Sequence, residues 1–212
     1  MLNKLKMKFL ILIFALISLT CAVTFNCTFE MRQMNRLPST YTCQPILSNI
    51  DESETLTAVY GTHMSGKSNN DVGFLHIRNI VNLTFFPRGM ESFFPNLTAI
   101  TMSYSEIENL YGNELDAFNN LTWFAFVYNP IERLPGGLFL NTPLVKTVFI
   151  YDNNIKHVAE GLLNSLEHFE YASFVNNYCV NKYASTPDQM SSLVEHLRNN
   201  CTDIESSSTS TT

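Results

Sequence analysis

"LTWFAFVYNPIERL", Leu121 to Leu134, sets Trp123, Phe124, Phe126 and Tyr128 within six residues, then an Asn-Pro step and the spaced aliphatics Ile131 and Leu134. A strand turns successive side chains to opposite faces, so one face cannot take all four rings. The neighbouring sequence decides which go in. Steps of 24 residues, without a gap, lead to "LTAITMSYSEIENL" from Leu97, "VKTVFIYDNNIKHV" from Val145 and "FEYASFVNNYCVNK" from Phe169. The first, fourth, sixth and eleventh positions are apolar throughout: Leu97, Ile100, Met102, Ile107; Leu121, Phe124, Phe126, Ile131; Val145, Val148, Ile150, Ile155; Phe169, Ala172, Phe174, Cys179. The ninth position is Ser105, Asn129, Asn153 and Asn177. A looser copy, one residue longer, starts at Val72 with Leu75 and Ile77, and Leu56, Val59 and Gly61 read as a degenerate first turn.

A fixed period of this size marks stacked repeats, each unable to bury its apolar side alone. The pattern resembles the leucine-rich repeat, L-x-x-L-x-L-x-x-N-x-L, in its 24-residue extracellular form, over roughly residues 56–201. "IERLPGGLFLNTPL", with its Leu-Pro step and Phe139, is similar to the second half of that repeat. The resemblance implies an α/β solenoid: a right-handed horseshoe with a short parallel sheet on its concave face, disulfide caps at both ends and a C-terminal cap helix. Fourth and sixth positions then point into the core, and third, fifth and seventh positions point outward. Phe124 and Phe126 are core; Trp123 and Tyr128 face out. Asparagines at the ninth position are expected to bond backbone groups left open by the turn and to form a ladder when stacked. Ser105 breaks that series and predicts a weaker turn.

The expected organisation is a leader over 1–22, an N-terminal cysteine cap over 23–55, about five repeats over 56–178, a C-terminal cysteine cap with a helix over 179–202, and a disordered Ser/Thr tail over 203–212. The leader reading rests on Lys4, Lys6 and Lys8 ahead of the apolar run Phe9 to Leu19, followed by small residues up to Ala22. That run is short of the ~20 residues that span a bilayer, so export is expected rather than membrane insertion. Cleavage would leave Cys27, Cys43, Cys179 and Cys201, and an even count in an exported chain implies disulfides. Three pairings are open; Cys27–Cys43 and Cys179–Cys201 are the short local closures, and they fit the two caps. "STPDQMSSLVEHLRNNC" predicts a helix with Thr186 as N-cap, Pro187 in the first turn, Gln189 at capping-box spacing and Met190, Leu193, Val194 and Leu197 as its apolar stripe. Five N-x-[ST] sequons, at Asn26, Asn82, Asn96, Asn120 and Asn200, agree with export. Asn96 and Asn120 hold equivalent places in successive repeats, so glycans there are expected to line one rim.

The formal charge of −6, with no basic cluster after residue 10, argues against a nucleic-acid surface. "GTHMSGKS", Gly61 to Ser68, matches the phosphate-binding loop literally, but "SNNDVGFLHI" follows it where that loop needs a helix, so we reject it. His63, His76, His157, His168 and His196 show no metal-ligand spacing and read as surface residues. With no nucleophile motif and no free cysteine left over, neither an enzyme nor a metal or cofactor site is expected.

Function is therefore expected on the outward sheet face, where Phe74, Tyr104, Trp123, Tyr128, Phe149, Tyr151 and Tyr171 collect, with Tyr104 beside Tyr128. Exposed Trp and Tyr are favoured at binding hot spots because they bury much area with few rotors. The reading is a secreted extracellular binding module that recognises a protein or glycoconjugate, in the recognition, signalling or adhesion settings the resemblance implies. A homodimer closing two concave faces is compatible with it. The alternative is a structural matrix or surface component that assembles through its repeats.

Overall fold

The computed structural model describes residues 23–48, 55–166 and 168–202; the expected leader and Ser/Thr tail lie outside them. The repeat strands are β4 (Phe74–Arg78), β5 (Ala99–Ser103), β6 (Trp123–Val127), β8 (Thr147–Phe149) and β10 (Tyr171–Ser173). They pair parallel and in register, Ala99 against Trp123, Trp123 against Thr147 and Thr147 against Tyr171, each one 24-residue step apart. Phe74 against Ala99 carries the longer first step. The stack is a solenoid, and its inward positions stack as expected: Leu75, Ile100, Phe124, Val148 and Ala172 form one buried row and Ile77, Met102, Phe126, Ile150 and Phe174 the next. Behind them, the outer turns add Leu83, Phe94, Leu115, Phe139 and Leu162, with a single helical turn, α1 (Met90–Phe93). Two short strands, β7 (Arg133–Leu134) and β9 (His157–Val158), pair on that outer side.

The asparagine ladder is present. Asn153 donates from Nδ2 to the carbonyls of Phe126 (2.9 Å) and Tyr151 (3.0 Å) and accepts from the amide of Asn129 (3.1 Å). Asn129 in turn accepts from the amide of Ser105 (3.2 Å), and Asn177 donates to Ile150 (2.8 Å). Ser105 has no side-chain amide to continue the series; its hydroxyl reaches the carbonyl of Ser103, at 3.5 Å.

At the C-terminal end, β11 (Tyr183–Ala184) closes the sheet antiparallel to β10, and α2 (Pro187–Cys201) lays Leu193 and Leu197 on the last repeat. Thr186 Oγ1 accepts from the Gln189 amide (3.3 Å), while the Gln189 side chain reaches back to the Ser185 amide (2.9 Å), one residue earlier than a regular capping box. Cys201 is bonded to Cys179, and Cys27 to Cys43.

The N-terminal end departs from expectation. Val23–Met34 (β1) and Leu37–Ser48 (β2) form a hairpin of two twelve-residue strands, much longer than any repeat strand. The sheet runs β11-β10-β8-β6-β5-β4-β2-β1-β3, so the hairpin lies between β4 and β3 (Leu56–Tyr60). Because β2 is parallel to β4 and antiparallel to β1, while β3 is parallel to β1, β3 runs against the repeat strands. Leu56, Val59 and Gly61 are therefore not a first repeat turn; they belong to the cap. The apolar spacing was right for a strand that buries Leu56 but silent about its direction.

Candidate functional site

The repeat turns bring the outward side chains to one sheet face. On it the third position of each repeat contributes Phe74, Ala99, Trp123, Thr147 and Tyr171, lying abreast across five strands. The tip of the β1–β2 hairpin lies over this row. Leu37 packs into a second apolar cluster with Phe74, Trp123 and Phe149, separate from the solenoid core, and Met34 packs against it. The Trp123 indole donates from Nε1 to the carbonyl of Asn35 at 3.1 Å, and the Arg36 guanidinium lies 4.1 Å from the Tyr171 ring centre. Arg36 reaches this position with φ +60°.

The seven rings expected to form one open patch are thus divided. Phe74 (0% exposed), Trp123 (4%) and Phe149 (6%) are covered, although they point out of the solenoid as their positions require. Tyr151 and Tyr171 are half-buried, and only Tyr104 (45%) and Tyr128 (40%) are well exposed. The hairpin's reach was not legible from the cysteine spacing, which locates the cap but not the overhang. Its one signal was the apolar-polar alternation running through "FNCTFEMRQM" past Cys27 towards the turn.

Tyr104 and Tyr128 form a ridge at the far end of the strands. Their rings stack with centres 4.3 Å apart and planes 11° from parallel. The Arg78 guanidinium covers the other side of Tyr104 at 5.3 Å, and Tyr151 meets Tyr128 edge-on at 5.7 Å. The Tyr104 hydroxyl and then Asp152 hydrogen-bond the Tyr128 hydroxyl and push its pKa up to about 12. Asn176 donates to Asp152 at 2.8 Å, so the eighth positions of four repeats form a continuous polar line. All four take the left-handed conformation, with φ of +52°, +57°, +54° and +55° at Tyr104, Tyr128, Asp152 and Asn176. Asp and Asn enter that region readily; a bulky tyrosine does so at a cost of about 1–2 kcal/mol.

Between hairpin tip and ridge runs a trough of about 290 Å³. Small side chains, Thr101, Ser103, Ala125 and Val127, floor it, and Met34 and Asn35 form its near wall. His76 and Arg78 stand at one end. His76 is 3% exposed, correcting the expectation that it is a surface residue, and its ring stacks on Phe74. Burial, aided by the Arg32 and Arg78 charges, pulls its pKa down to about 4, so the imidazole is neutral at physiological pH.

The phosphate-loop match is explained structurally. Gly61 passes so close to β1 that a Cβ would collide with the Cys27 carbonyl, and Lys67 pairs with Asp71 at 3.2 Å across a single 3-10 turn (Asn69–Asp71). All five sequon asparagines are exposed, and Asn96 and Asn120 precede β5 and β6 by the same three residues.

No protein-family model matches the chain, and no curated protein matches it. Among solved structures, the crystal structure of the APL1 leucine-rich-repeat domain aligns with a TM-score of 0.50 at 13% identity, over 75% of this chain and 44% of that one. The fold is a leucine-rich-repeat solenoid. A chain from the Toll–Spatzle complex, described as a molecular hub in Drosophila development and innate immunity, aligns with a TM-score of 0.46 at 16% identity, over 63% of this chain and 22% of that one. The chain thus spans less than half the length of either matched chain. Among the described residues, no helix is long and apolar enough to cross a membrane.

Proposed function

We propose that this chain is a non-enzymatic extracellular recognition module that binds a protein partner through the open half of its concave face: the Tyr104–Tyr128 ridge and the trough beside it. The observation that carries this reading is two stacked, exposed tyrosines held at φ +52° and +57°. The next two repeats place Asp152 and Asn176 at the same position, residues that need no strain there. A bulky ring that costs stability and is left in solvent is supported by a role in contact. The stacking geometry favours protein over carbohydrate. The ridge's ring faces are taken up by one another and by Arg78, which leaves hydroxyls, edges and a guanidinium rather than a flat platform for a sugar.

Two disulfides and five exposed sequons support an extracellular setting. Glycans on Asn96 and Asn120 would stand at the strand starts, the rim opposite the ridge, and would leave the ridge approachable. The test is affinity capture from extracellular fluid on the native chain and on Tyr128→Asn in parallel. A protein retained by the native chain and lost from the variant supports the reading. Equal retention of every captured protein by both would refute it.

A further inference from the structure

The ridge is electrically bipolar. Arg78, on β4, is exposed, and among the described residues it makes no ion pair; its guanidinium lies over the Tyr104 ring. Asp152 follows β8 and is held by the Tyr128 hydroxyl and the Asn176 amide. Tyr104 and Tyr128 fill the interval. Strands β4, β5, β6 and β8 are consecutive neighbours, so the backbones that carry the two charges stand three strand spacings apart, about 14 Å at ~4.8 Å per spacing. The trough alongside is lined by Met34 and Asn35 as well as the tyrosines, and floored by small side chains. A trough of about 290 Å³ takes the side chains of one chain segment and is too small to seat a folded surface.

Resting on the protein-binding reading above, we infer that the trough receives an extended peptide segment of the partner carrying an acidic and a basic residue four positions apart, the acid on Arg78 and the base on Asp152. An extended chain rises ~3.3 Å per residue, so about 14 Å is four residues, and residues i, i+2 and i+4 share one face. The middle one then meets the tyrosine hydroxyls. A helix rises ~1.5 Å per residue, so its i and i+4 charges stand only about 6 Å apart. That spacing fails to span the ridge.

Selection of a displayed, fully randomised linear nine-residue peptide library on the full chain tests this. The expected result is enrichment of peptides with opposite charges at i and i+4, in either order. Arg78→Gln should erase the preference for the acid and Asp152→Asn the preference for the base, each lowering retention of selected peptides about fivefold, the scale of one solvent-exposed ion pair. Peptides that depend on Tyr128 but lack the charge pair, or keep it unchanged on both variants, would overturn the inference and leave the recognition reading standing. No enrichment on the native chain over Tyr128→Asn would overturn the inference and remove the ridge from the recognition reading. Light scattering that shows a dimer dissolved by Arg78→Glu would make a second copy the occupant and also overturn it.

Discussion

The indole nitrogen of Trp123 donates to the main-chain carbonyl of Asn35, 88 residues earlier, at 3.1 Å. That bond fastens the tip of the N-terminal hairpin to the middle of the repeat sheet. It turns an outward-facing ring into a buried one without placing it in the solenoid core. Cap and concave face are therefore one unit, and the proposed binding surface is what the cap leaves open.

Leu37 anchors the overhang. It is buried in the second cluster with Phe74, Trp123 and Phe149. Leu37→Ala should cost about 2–5 kcal/mol, the range for a truncated buried leucine. Trp123 is the single tryptophan of the chain, so its emission reports the site directly. The variant is expected to melt earlier and to show red-shifted, more readily quenched emission. A stable variant with unchanged emission would mean that the tip is not seated on the ring.

The ridge tyrosines trade strain against stacking. Replacing both with asparagine removes a left-handed cost of about 1–2 kcal/mol at each site and gives up a ring pair worth ~0.5–1.5 kcal/mol. The double variant should therefore melt at or slightly above the native temperature while losing the captured partner. Calorimetry and capture on the same preparation check this. A large fall in melting temperature would mark the rings as structural.

His76 gives the fold an acid sensitivity. Its folded pKa of about 4 lies below the ordinary value of 6.5, so below pH 6.5 the unfolded chain binds a proton that the folded chain refuses. Its contribution is complete above pH 6.5, declines as pH falls towards 4, and is roughly 2–3 kcal/mol over that window. His76→Gln should remove that slope. Melting curves of both proteins at pH 7.5, 5.5 and 4 would show the native chain losing more stability than the variant; parallel curves would contradict it.

The asparagine ladder has a strong rung and a missing one. Asn153→Ala strips hydrogen bonds from the Phe126 and Tyr151 carbonyls and the Asn129 amide, and should cost about 3 kcal/mol. Ser105→Asn extends the ladder by one rung and should raise stability by ~1 kcal/mol. Denaturant titration measures both. A Ser105→Asn variant less stable than native would show that the turn after β5 cannot take the amide.

The repeat was legible because each inward residue is tested four times at one spacing. A misassigned Phe124 would have had to misassign Ile100, Val148 and Ala172 with it. Pairing of Tyr104 with Tyr128 followed from the same register. The division of the aromatic face was not legible, since it depends on how far a hairpin projects, and a hairpin's length leaves no mark in the repeat period. Trp123 and Phe149 sit at outward positions in both readings; only the Leu37 tip distinguishes exposed from covered. The direction of strand β3, and with it its place in the cap, was missed for a related reason, because alternation is the same read in either direction.

Oxidative footprinting of the native chain, read by mass spectrometry, reports Tyr104, Tyr128, Trp123, Phe74 and Phe149 in one measurement. The account predicts rapid modification of Tyr104 and Tyr128, with Trp123, Phe74 and Phe149 protected until the chain unfolds. Modification of Trp123 as fast as the two tyrosines would contradict it.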